Sequence, residues 1–177
     1  MNTLGKALRE TSHLSPLQRK LDRLGLKDSE NWIQLGIHRG CGHYRRKGPM
    51  VKDPGTDTLS NLELAVALLL NGNIYDPVNI RVAAQLLSGE SDVDKTLFLT
   101  EKERVWTGLR YIAACGSILD PDNTYWKKLI EKLPSNSPPK GVLPHPDRFT
   151  TESPPLRGQL GCARQRIWLR PNPGKPG

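Results

Sequence analysis

Between Thr58 and Leu133 the sequence repeats one arrangement: a capping residue, a short apolar run at helical spacing, then a stop. Ser60 and Glu63 form a capping box, in which the hydroxyl accepts from the Glu63 amide while the carboxylate accepts from the Ser60 amide. Behind it Leu62, Leu64, Ala65, Val66, Ala67, Leu68, Leu69 and Leu70 are apolar on every side, so this helix has to be surrounded. Asn71-Gly72 ends it. Asp76-Pro77 supplies an N-cap with proline at the first helical position, and Ile80, Ala83, Ala84 and Leu87 recur at helical spacing up to Ser88-Gly89. A turn of helix follows over 92–99. Thr100 with Glu103 then reads as a second capping box, opening the longest helix with Val105, Trp106, Leu109, Ile112 and Ala113 on one face and Gly116 at its end. Asp120-Pro121-Asp122-Asn123 breaks the chain before a last helix whose inner stripe is Trp126, Leu129, Ile130 and Leu133, halted by Pro134.

These signals dictate a mainly α fold, a small bundle of about five or six short helices. A stretch of this length buries a marginal core by itself, so the N-terminal helices are expected to dock on it. Ser15-Pro16-Leu17-Gln18 starts one such helix, with Leu17, Leu21 and Leu24 inward and Gly25 at its end; Ser29 and Glu30 start another, carrying Trp32, Ile33 and Leu35. A helix, a glycine turn and a helix invite comparison with the DNA-reading helix-turn-helix. Leu21 falls where that motif needs a small residue and Asn31 where it needs an apolar one, so the pair is read as a helical hairpin. The expected organisation is residues 1–57 as basic hairpin and Gly-rich loop, 58–133 as central helical domain, and 134–177 as Pro-rich basic arm.

Charge follows the same division. Net charge is +8, yet residues 1–50 hold 10 Lys and Arg against 4 Asp and Glu, residues 51–133 hold 9 against 12, and residues 134–177 hold 7 against 2. A slightly acidic centre with two cationic flanks suits a polyanion, because Lys and Arg gain affinity by releasing its condensed counterions. Cys41, Cys115 and Cys162 are too few and too odd in number for a disulfide scaffold, which points to a reducing compartment. With no signal-peptide core and no long apolar run, a cytoplasmic protein with no membrane partner is expected.

The most unusual local composition is the loop from Ile37 to Pro49, where three glycines and a proline forbid a regular helix. It is expected to present Arg39, Arg45, Arg46 and Lys47 beside Tyr44: cations for phosphate, glycines for close backbone approach, and a ring to stack on an unpaired base. His38, Cys41 and His43 offer three weak metal-ligand candidates, short of the four a structural zinc site requires and without its usual pairing. The same cations could lower the Cys41 thiol pKa and make it a nucleophile, with His38 or His43 as base. Cys115, beside Ala113 and Ala114, reads as a small buried hydrophobe.

The last segment holds ten of the 15 prolines and little periodicity. Within it Arg157, Arg164, Arg166 and Arg170 are candidate phosphate contacts, while Ile167, Trp168 and Leu169 form an apolar patch able to dock on a partner or fold back on the helices. Together these features favour a non-enzymatic nucleic-acid-binding protein, or a subunit of a nucleoprotein complex, using loop 38–47 and arm 157–170, with low sequence specificity and no cofactor. The alternative is a protein-interaction subunit of a larger assembly. A third reading is a small His- and Cys-dependent hydrolase or nuclease.

Overall fold

A computed structural model describes residues 14–42, 48, 50–70, 76–103, 105–135, 143–153 and 165–172. Seven α-helices lie in these stretches: α1 (Pro16–Arg23), α2 (Ser29–His38), α3 (Asn61–Leu68), α4 (Pro77–Leu87), α5 (Val93–Glu103), α6 (Trp106–Leu119) and α7 (Thr124–Lys132). A 3-10 turn (Pro146–Phe149) leads into a two-stranded antiparallel ribbon, β1 (Thr150–Glu152) against β2 (Arg166–Trp168). The fold is mainly α.

The capping chemistry forms as the side chains dictate. Ser15 with Gln18 and Ser60 with Glu63 close complete capping boxes at α1 and α3, and Asp76 accepts from the Val78 amide at α4. Gly25 takes the positive φ of 76° that turns the chain out of α1. The second capping box does not form. Thr100 lies inside α5, its hydroxyl donating back to the Thr96 and Leu97 carbonyls, and the true cap is Asp92, which accepts from the Lys95 amide. Glu103 ends that helix and turns inward to accept from the Leu17 amide, while α6 begins at Trp106 without a side-chain cap.

Helix α6 also runs through Gly116 to Leu119. The glycine makes room: a Cβ there would sit 2.5 Å from Cδ2 of Trp126, the fully buried ring of α7. Gly36 does the same for α2 against Val82 of α4, at 2.6 Å. The Asn71-Gly72 stop lies outside the described residues.

One continuous core runs from Leu17 to Trp168, so packing does not stop at residue 58 or 133. The oily helix α3 is at its centre, with all of Leu62 and Leu64–Leu68 buried. Part of the expected arm folds back. Trp168 is 4% exposed, stacked on Phe149 at 5.2 Å between ring centroids and tilted against Trp126 at 5.2 Å. Arg170 anchors the segment further: its guanidinium reaches both Asp120 oxygens at 2.9 and 3.0 Å and the Ser88 carbonyl at 2.8 Å. Asp120 also accepts from the Trp126 indole N–H, at 2.9 Å. Gln85 of α4 donates to the Arg170 carbonyl, fixing the strap that follows β2 across the Gln85 and Ser88 face of α4.

Candidate nucleic-acid interface

Three arginines expected to contact phosphate are described, and each has a different setting. Arg39 is not exposed. Its side chain is 5% accessible and engages Asp53 through Nε (3.0 Å) and Nη2 (2.7 Å), the Leu59 carbonyl (2.7 Å) and Asn61 (3.2 Å). Breaking a buried pair of this kind costs about 3–5 kcal/mol, so Arg39 is a strut between the end of α2 and the start of α3. Arg170 is half exposed, but it too serves the fold through Asp120.

Arg166 differs. It pairs with Asp147 at 3.0 Å, and both side chains are about half exposed. Such a pair contributes about 0–1 kcal/mol, so a phosphate can take the guanidinium at little cost. Among the candidate contacts, Tyr44, Arg45, Arg46, Lys47, Arg157 and Arg164 lie outside the described residues.

The apolar patch is split. Ile167 is 42% exposed, whereas Trp168 and Leu169 are buried, because the alternation of β2 turns Trp168 onto the aromatic cluster and leaves Ile167 outside. Trp168 and Leu169 are therefore corrected from partner contacts to core residues.

Burial also corrects the reactive-thiol reading of Cys41. It is wholly inaccessible, and desolvation pushes its thiol up to about 12, the reverse of an activated nucleophile. His43 lies outside the described residues, and His38 ends α2. Among the described residues no three His, Cys, Asp or Glu side chains converge on a metal position. Cys115 is 6% exposed with its pKa raised by burial, packed as a small hydrophobe.

Around Arg166 the fold assembles a site the sequence did not point to. A cleft of about 540 Å³ opens between α4, the 3-10 turn and the ribbon, lined among others by Arg81, His145, Asp147, Arg148 and Arg166. Three guanidiniums and an imidazole thus face two carboxylates, Asp147 and Glu152. Arg148 is exposed on the turn, and among the described residues no carboxylate pairs with it. His145 caps the turn, its Nδ1 accepting from the Asp147 amide at 3.3 Å. Thr150 donates to the Asp147 carbonyl at 2.9 Å, which ties the turn to β1.

A second cleft, of about 570 Å³, lies between the Leu119–Asp122 turn and residues 165–172. It shares Thr151, Arg166 and Leu169 with the first, so the two adjoin across β2. Sequence reading did not single out Arg81, within a helix read for its apolar residues, or Arg148, in the Pro-rich segment. The one available signal was cationic content near Arg166 in a segment too short for strand periodicity to be read.

Comparison with family models, curated proteins and solved structures finds no match to this chain.

Proposed function

We propose that this protein binds nucleic acid through its phosphates, without transforming it and with low sequence specificity. The observation that carries the reading is the gathering of Arg81, Arg148 and Arg166 around one cleft, with Arg166 in a half-exposed ion pair with Asp147. Guanidiniums are suited to this task because their planar fork matches two phosphate oxygens at once. The sequence between the two strands adds Arg157 and Arg164, and loop 38–47 adds Arg45, Arg46 and Lys47. Arg39 and Arg170 leave the contact set as structural residues. The test is binding of a labelled oligonucleotide by the full chain and by R148A/R166A: affinity falls in the variant if the reading holds, and an unchanged affinity counts against it.

A second reading, a subunit of a protein assembly, is favoured by Phe98 and Ile118, which are 69% and 76% exposed. Single exposed apolar side chains are common on soluble proteins, so this support is weaker. A protein partner that stays bound through nuclease treatment and high salt would favour it.

A further inference from the structure

Resting on the nucleic-acid reading, we propose that the ligand is a single unpaired strand that crosses β2, with a phosphate in the first cleft and the adjoining base in the second. The two clefts differ in chemistry. The first gathers Arg81, Arg148 and Arg166 with Asp147 and Glu152, while the second, besides the Arg170–Asp120 pair, carries groups that read hydrogen-bonding edges: the exposed Asp122 carboxylate and the exposed Gln165 amide, with Ile167 as an apolar neighbour.

The ribbon's own backbone adds to the second cleft. The Leu169 amide donates to the Phe149 carbonyl at 2.9 Å and the Ser153 amide to the Gln165 carbonyl at 2.8 Å, and Thr151 opposes Ile167 between them. Antiparallel alternation therefore directs the N–H and C=O groups of the exposed Arg166 away from β1, on the side where no second strand pairs with β2 among the described residues. Donors and acceptors of this kind recognise the Watson–Crick edge of an unpaired base, which a duplex keeps occupied. Recesses of about 540 and 570 Å³ are large enough to admit parts of a nucleotide. Arg166 lines both clefts and so stands at the junction between phosphate and base.

The experiment compares the full-length protein on a labelled single-stranded oligonucleotide, the same strand annealed to its complement, and a set of single-stranded homopolymers, by fluorescence anisotropy. The single strand is expected to bind at least several-fold more tightly than the duplex. D122N and Q165A, both at exposed positions, are expected to change the ranking among homopolymers by roughly two- to tenfold, the worth of one hydrogen bond, while leaving the salt dependence intact. Equal or tighter binding of the duplex overturns the single-strand inference and leaves the phosphate reading standing, as does a homopolymer ranking untouched by both variants. Failure to bind any of these nucleic acids overturns both.

Discussion

At the scale of single residues, the contrast between Arg39 and Arg166 carries the functional argument. Both are arginines in basic surroundings, yet one is sealed against Asp53 and the other lies in an open cleft. Hydrogen bonds from Arg39 hold the Asp53 carboxyl below its ordinary value of 3.8. Because the folded pKa is depressed, this carboxylate stabilises the fold fully above that value, and the contribution is lost as pH falls through the lower folded one. Urea denaturation at pH 5 and pH 3 should show lower stability in acid, and Asp53→Ala should flatten part of that difference while costing about 3 kcal/mol at pH 7. A pH profile unchanged by the substitution would contradict this. Gly116→Ala should cost about 1–3 kcal/mol by thermal denaturation, since the Trp126 ring has nowhere to move. A glycine in sequence looks the same whether it ends a helix or admits a ring, which is why Gly116 read as a stop.

At the scale of elements, local chemistry was legible where a hydroxyl or carboxylate had one partner within reach. The boxes at Ser15 and Ser60 depend on residues three apart and form as the sequence implies. Thr100 and Glu103 have the same spacing, but a long-range partner wins: Glu103 accepts from Leu17, and Thr100 bonds within its own helix. The ribbon was illegible for a related reason. Three-residue strands have no measurable period, and their register depends on Phe149 and Trp168 meeting Trp126 from distant parts of the chain. Trp168→Ala should therefore cost about 3–5 kcal/mol and free residues 143–153 and 165–172 from the helices. Near-UV circular dichroism should lose aromatic signal, and proteolysis should cut this segment first. Cleavage at the native rate would show that the strap holds by other contacts.

For the whole molecule, the division between an oily centre and cationic flanks survives in charge but not in packing. The helical centre is slightly acidic, and basic residues from α4, the 3-10 turn and β2 meet in one cleft because the C-terminal strap is tied across α4. Composition could place the charge in the flanks but could not say that Arg81 of a core helix would join Arg148 and Arg166. Phosphate binding at this cleft depends on that convergence. Its most direct test is the salt dependence of oligonucleotide binding by the wild type and by R81A/R148A/R166A. Each phosphate contact on a single strand contributes about −0.7 to the slope of log K against log salt, so the triple variant should bind more weakly with a slope shallower by about 2. A variant that keeps its fold by circular dichroism and retains the wild-type slope would show that the three arginines do not hold phosphate.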